Sequence, residues 1–427
     1  MNGIKPLRTF IPILPILLTL ACAPQAPNDP TDSPASGNQK ELKLGTLLPS
    51  TGDLASIGQN MPKAVQLAVD TVNACGGVNE LNVITIDEDS QTDPNAGISA
   101  MTKLAEVDKV AGVVGAFASS VSTAAVDVAV RNEIMMVSPG STSPVFTRDA
   151  KDGKFKGYWA RTAPPDTYQA GALAALAGKR GFKKVNTIVI NNDYGVGFEE
   201  AFIESFKKIG GEITPGSKPV RYDPKAATLD SEAKAAFAGN PDAIAAILYV
   251  ETGSVFIRSA FEQGLTKNVT FLLTDGVYSP DFVRQVGKSG GKSIIAGALG
   301  TVPGADGEGL ANLTTLWKDK TGEDIGAYVP QSWDAAVLLM LAAEAADANT
   351  GEGIKSKIRE VANAPGTEVS DPCEAIELLR NGEEINYQGA SGNVDIDENG
   401  DIVGSYDVWT VKEDGTLEVI DKVTPVQ

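Results

Sequence analysis

The feature that most constrains this chain is an alternation. From residue 41 onward, short apolar runs rich in β-branched residues take turns with amphipathic segments of helical period. Strands are expected over 42–48, 82–86, 110–116 and 134–137, with helices over 61–73, 96–107 and 119–131 between them. The register restarts near Asp166, with helix 168–179, strand 186–191, helix 198–209, strand 243–250, helix 254–263 and strand 269–273. Nearly all-apolar strands separated by helices read as parallel sheets covered on both faces. Two such series imply an α/β fold of two lobes, and 427 residues are enough to give each lobe its own core.

The first forty residues belong to neither series. Lys5 and Arg8 precede an apolar run from Phe10 to Leu20 that is too short to span a bilayer. Leu18-Thr19-Leu20-Ala21-Cys22 follows, and it resembles the lipobox of bacterial lipoproteins, with Thr19 where that motif prefers Leu. The resemblance implies that residues 1–21 are a signal peptide and that Cys22 carries the lipid on the outer side of the membrane; an ordinary cleaved signal is the alternative. Residues 22–40 are dominated by Pro, Ser, Asn and Asp and read as a disordered tether. No later stretch offers eighteen consecutive apolar residues, and 335–343, ended by Glu344, reads as a core helix.

Composition removes whole classes of chemistry. The chain has no histidine, which excludes His-based triads, His-ligated zinc or haem, and His acid–base catalysis. No cofactor or metal is expected. A net charge of −19 opposes a phosphate polymer as partner, so no nucleic acid is expected either. In an oxidising compartment Cys75 and Cys373 are candidates for a disulfide, with two buried free thiols as the alternative.

Parallel sheets bind ligands outside the carboxyl ends of their strands. In the first series those positions hold Ser119 and Ser120, then Gly140, Ser141 and Thr142, which offer hydroxyls and N–H groups at helix starts, suited to an anion. In the second series they hold Tyr194, Tyr249 with Glu251, and Asp275 with Tyr278. A zwitterion would suit this set, its carboxylate on the first lobe and its ammonium on Asp275 or Glu251, with tyrosines around its apolar part. Each Ser or Thr taken singly also reads as an ordinary helix cap.

The segments 42–52 (Leu-Lys-Leu-Gly-Thr-Leu-Leu-Pro-Ser-Thr-Gly), 72–78 (Val-Asn-Ala-Cys-Gly-Gly-Val), 87–94, 113–120, 138–142 and Tyr194-Gly195, in this order, resemble the leucine/isoleucine/valine-binding family. The turn at 393–400 before Tyr406-Asp-Val-Trp409 is similar too. The family comprises type I periplasmic solute-binding proteins of amino-acid ABC transporters. The resemblance implies a two-lobed fold with parallel sheets flanked by helices and a three-segment hinge. Lobe 1 would comprise 41–162 and 300–400, and lobe 2 would comprise 163–299 and 401–427. The hinge would lie at 161–166, 297–304 and 390–404, closing on ligand as periplasmic binding proteins do. Ser119, Gly140 and Thr142 fall at the family's carboxylate and amino anchors, Tyr194 and Tyr249 at its pocket tyrosines, and Asp275 where many members use an acidic residue for the ammonium group. Asp275 is one methylene shorter than Glu. Ile57 stands where some members have an aromatic side chain, and Tyr328 and Trp333 are weaker pocket candidates. Cys75 and Cys373 both fall in lobe 1 on this map, which favours the disulfide. The implied partners are a small amino acid, a membrane permease and its ATPase subunits, and the membrane itself through the lipid. Monomer is the simplest expectation.

Other motifs carry less. Gly290-Gly-Lys-Ser293 has Val286 where a phosphate-binding loop needs its first Gly. Asp395-Ile-Asp-Glu-Asn-Gly-Asp401 has calcium-loop spacing but ends on Tyr406 rather than Glu, and a turn is expected instead. No nucleophile with a partnered base is visible, so no enzyme is expected. Rival readings are a receptor for an amide or urea, and an envelope regulator with no small ligand.

Overall fold

The computed structural model describes Gly3 and residues 41–214 and 218–423. Apart from Gly3, the expected signal peptide, Cys22 and the tether lie outside the described residues. Residues 41–214 and 218–423 form a single compact unit.

Its first sheet contains β1 (Leu42–Leu48), β2 (Val83–Asp89), β3 (Gly112–Gly115), β4 (Met135–Ser138) and β5 (Trp159–Arg161), all parallel in the order β2-β1-β3-β4-β5. Strands β1, β3 and β4 are buried along almost their whole length, which is why they read as continuous apolar runs. The second sheet begins with β6 (Lys184–Ile190), β7 (Glu212–Ile213), β8 (Val220–Tyr222), β9 (Ala243–Ile247) and β10 (Thr270–Leu273). A hairpin of β11 (Lys288–Ser289) and β12 (Lys292–Ser293) follows, so the Gly290-Gly291 pair is a surface turn. Strand β13 (Leu299–Pro303) pairs in parallel with β10, returning the chain to the second sheet. Strands β14 (Thr367–Val369), β15 (Ile385–Gly389) and β16 (Gly392–Asn393) form a small separate sheet, and β17 (Tyr406–Val411) and β18 (Leu417–Val423) close the second sheet on an antiparallel edge.

Local chemistry sets the helix boundaries. Asp93 accepts from the N–H groups of Asn95 and Ala96, and Pro94 occupies the first turn, so the helix starts at Pro94 rather than Ala96. It runs as Pro94–Thr102 and finishes in a π-helical turn over Lys103–Asp108. The helix expected from Phe198 starts at Asp193, because the Asn192 side chain caps the Gly195 N–H at 2.9 Å. Helix Val329–Ala345 is buried from Val329 through Ala343, and it packs against Met61–Ala74 as the core of the first lobe. Cys75, just past Met61–Ala74, is bridged to Cys373 in Pro372–Arg380, with Cα atoms 5.7 Å apart.

The chain passes between the sheets three times, after Arg161, after Pro303 and between Asp401 and Tyr406. The expected boundary at 299/300 falls inside β13. This strand pairs with β10 on one side and β17 on the other, so its hydrogen bonds hold it in the second sheet and the passage follows Pro303. Among the described residues no helix is long and apolar enough to cross a membrane.

Candidate functional site

The carboxyl ends of the two sheets face each other. On the first, the loops after β3 and β4 are tied together by serine hydroxyls. Ser138 Oγ donates to the Ala116 carbonyl at 2.6 Å and accepts from Ser141 N–H at 2.8 Å. Ser141 Oγ lies 3.1 Å from Ala116 O, 3.0 Å from Phe117 O and 2.8 Å from Ser122 Oγ. The expectation that the Ser141 hydroxyl faces a ligand is therefore corrected: it is fully buried and satisfied within the lobe. Ser119 Oγ accepts from Ser143 N–H at 3.3 Å. Helix Ser119–Arg131 has no side-chain cap, and Val121 and Ser122 N–H both reach Ala118 O, which leaves the N–H groups of Ser119 and Ser120 as first-turn donors. Gly140 is required where it stands, since a Cβ there would lie 2.1 Å from the Phe117 ring.

On the second sheet, Tyr194 and Tyr249 stack with centroids 5.6 Å apart, both buried. The Tyr194 hydroxyl is 2.7 Å from Thr274 Oγ1 and 3.0 Å from Asp275 Oδ1. Asp275 also accepts from Gln169 Nε2 at 2.7 Å, and from Tyr328 at 2.7 Å on its other oxygen. Tyr328 begins the buried first-lobe helix and packs edge-on against Phe117, so its bond to Asp275 runs from one lobe to the other. The lobes are thus in a closed arrangement.

Two residues that the sequence reading passed over complete the set. Asp166 and Gln169 occupy the first turn of helix Asp166–Lys179, on the same face as Ala170, Leu173 and Ala177, and all are fully buried. A polar pair at the head of an otherwise apolar helical stripe was the available signal. The Thr142 hydroxyl lies beside Asp166, yet neither it, nor either Asp166 carboxylate oxygen, nor Gln169 Oε1 has a hydrogen-bond partner of normal geometry. The nearby guanidinium of Arg161 is held by Asp401.

The electrostatics follow from this layout. Burial pushes the Asp275 carboxyl above its ordinary range, opposed by the bonds from Tyr328, Gln169 and Tyr194. Burial, reinforced by the charge of Asp275, pushes Asp166 well above its ordinary range, against the pull of Thr142 and Arg161. The Tyr194 and Tyr328 hydroxyls are also driven well above their usual range, first by burial and then by Asp275. The cluster brings two carboxylates beside Tyr194 and Tyr328, and the nearby cation, Arg161, is already held by Asp401.

Ser120 and Tyr249 line a cleft of ≈ 520 Å³ between the lobes with Asp53, Asn192 and Lys225. Other expected residues lie apart. The alternative ammonium partner Glu251 is exposed and bonds Gln285 Nε2 at 2.8 Å. Tyr278 packs on Trp409 instead, and Trp333 lies beside Tyr387 in the first lobe. In the 395–401 turn, Asp397 Oδ1 accepts from the N–H groups of Asn399 and Asp401, while Asp401 turns to Arg161 and Thr147. No group of three or more acidic or thiol side chains suited to a metal ion occurs among the described residues.

The chain matches the family described as receptor family ligand binding region over residues 60–414. It is 30% identical over 330 residues to Leu/Ile/Val-binding protein homolog 1 of Brucella abortus, covering 75% of this chain and 82% of that protein. The chain belongs to the leucine/isoleucine/valine-binding protein family. Another family relative is the chemotactic signal transduction system substrate-binding protein BasB of Halobacterium salinarum, 26% identical with 83% of each chain covered. Among solved structures, the leucine-binding protein LivK of Thermotoga maritima superposes with a TM-score of 0.75 at 26% identity, covering 90% of this chain and 99% of that one. The family fold is the two-lobed type I periplasmic binding protein, and its members bind solutes rather than transform them.

Proposed function

We propose that this protein is the lipid-anchored substrate-binding component of an ABC importer, capturing a neutral amino acid outside the membrane by closure of its two lobes. The observation that supports the reading is the pair of buried carboxylates, Asp275 and Asp166, the latter without a hydrogen-bond partner of normal geometry, together with the uncapped start of helix Ser119–Arg131. The ligand ammonium sits between Asp166, Asp275 and Tyr194. Its carboxylate takes the N–H groups of Ser119 and Ser120 together with the Thr142 hydroxyl, and its side chain lies among Phe117, Tyr249 and Tyr328. Gly140 keeps the loop close enough for this, and Cys22 holds the receptor beside its permease and ATPase subunits.

The test is a thermal-shift screen of residues 41–427, the compact unit with its terminus, against the twenty amino acids, urea and short amides. Ligand at a hundred times its dissociation constant adds about 2.7 kcal/mol, a rise of roughly 3 °C for a chain of this size. A rise with leucine, valine, alanine or similar residues is the expected result. A rise with amides alone removes Asp166 and Asp275 from the ammonium role. No rise at all, with no co-purified ligand by mass spectrometry, favours the envelope-regulator reading.

A further inference from the structure

Helix Val250–Glu262 belongs to the second lobe, and it lacks a cap from its own sequence. Tyr249 occupies the N-cap position and makes no side-chain bond to the first turn. The exposed N–H groups are instead taken by a residue from the other lobe. Asp53, in the loop after β1, accepts from Glu251 N–H at 2.6 Å and Thr252 N–H at 3.1 Å through one oxygen, and from the Thr252 hydroxyl at 2.7 Å through the other. A carboxylate at the positive end of a helix, bonded to two N–H groups and a hydroxyl, is a charge-assisted cap of the stronger kind. Thr252 is itself braced 3.1 Å from the Tyr222 hydroxyl. Two weaker contacts cross the same lip, Ser56 to Ser279 at 3.3 Å and Lys225 to Asp93 at 3.3 Å.

We propose that Asp53 is a closure latch: a helix cap supplied in trans, formed only when the lobes meet, which sets ligand affinity without touching the ligand. The idea rests on the solute-receptor reading above and adds to it a positioning residue at the rim of the cleft that Ser120 and Tyr249 line. When the hinge opens, Asp53 and the helix start separate, and water replaces the three bonds. The latch therefore favours the closed state alone. Ligand selects that same state, and apparent affinity scales with the population competent to hold it. Removing the latch lowers that population for every ligand by the same factor, and leaves the open, unliganded protein as stable as before. Such a loss appears mainly as faster release.

The experiment compares wild type, Asp53→Ala and Asp53→Asn, with L-leucine as probe. Asp53→Ala is expected to weaken L-leucine binding by about tenfold, chiefly through the dissociation rate, with Asp53→Asn between it and wild type. Ligand-free melting temperatures should agree within about 1 °C. Amide exchange at Glu251 and Thr252 should be several-fold faster in Asp53→Ala when both proteins are saturated with L-leucine, and equal without ligand, where the latch is open. Unchanged affinity with unchanged exchange overturns the latch. So does a ligand-free destabilisation of Asp53→Ala as large as that of the liganded protein, which would make Asp53 a structural cap. If wild type itself does not bind L-leucine, the comparison is made at saturation with whichever amino acid or amide raises its melting temperature in the screen: faster exchange in Asp53→Ala keeps the latch and places the failure on the ligand class, while equal exchange, or no ligand at all, refutes the latch.

Discussion

Arg161 ends β5 at the first passage between the lobes, and it is completely buried. Its Nε and Nη2 lie 2.8 Å and 2.7 Å from Asp401 Oδ1, its Nη1 donates to the carbonyls of Ser141 at 2.9 Å and Ser143 at 3.0 Å, and Nη2 donates to Thr147 Oγ1 at 2.9 Å. One side chain thus joins the first passage to the third and holds up the loop that carries Gly140 and Thr142. Arg161→Met keeps the alkyl stem and removes every donor. The buried Asp401 carboxylate is left with the Thr147 hydroxyl, and two carbonyls lose a partner. Removing one member of a buried pair costs about 3–5 kcal/mol. An unfolding entropy near 2 cal/mol/K per residue, over the roughly 380 described residues, converts this to a fall in melting temperature of about 4–6 °C. Scanning calorimetry of Arg161→Met, Asp401→Asn and the double variant tests it. The double variant should be more stable than the sum of the singles implies, by about 2 kcal/mol, because it leaves no orphaned charge. A drop under 2 °C for Arg161→Met, or strict additivity, would refute the assignment.

Three other outcomes follow from the site. Asp275→Asn should weaken amino-acid binding by about a hundredfold or more in calorimetric titration, while leaving the ligand-free melting temperature at or above wild type, since burial already disfavours that charge. In the closed, empty arrangement burial and the charge of Asp275 hold the Asp166 carboxyl well above its ordinary range. A ligand ammonium favours the ionised form, so binding should release a proton wherever the empty protein still carries one on Asp166, and affinity should fall as pH drops through that range. Titrations in buffers of different ionisation enthalpy read that proton directly, and Asp166→Asn should abolish it. Gly140→Ala puts a methyl group 2.1 Å from the Phe117 ring, which should cost about 1–3 kcal/mol in thermal denaturation and displace Phe117 from the ligand side-chain wall.

What the sequence disclosed depended on whether the information was local. Strand Leu42–Leu48 and helix Ser119–Arg131 could be read to the residue, because burial on all sides and a strict helical stripe each leave a periodic mark. The positions of Tyr194, Tyr249 and Asp275 just after strand ends were legible as well, since they follow from the strand pattern. The contacts between distant elements are non-local. Tyr328 bonds Asp275 across 53 positions, Gln169 bonds it across 106, and Asp53 reaches Thr252 across 199. No periodicity encodes such pairs. Ser141 shows the converse error, a hydroxyl in the right place along the chain but turned inward to tie two loops together.

The cost of the closed, empty site is central to how such a receptor would work. Asp275 is stabilised by three neutral donors and Asp166 by none of normal geometry, and both are buried in the closed arrangement. Two carboxylates held near each other at low dielectric resist joint ionisation, so the empty closed state must either take up a proton or accept the repulsion. An ammonium group between them removes that cost, supplies donors to the orphaned oxygens of Asp166, and leaves the first-lobe N–H groups to hold the ligand's own carboxylate. On the proposed function, such a ligand would supply what the closed site lacks, and would couple occupancy to closure through charge as well as through apolar contact. On this reading, apolar contacts with Tyr249, Phe117 and Tyr328 rank ligands against one another, while the acidic pair decides whether the lobes close at all.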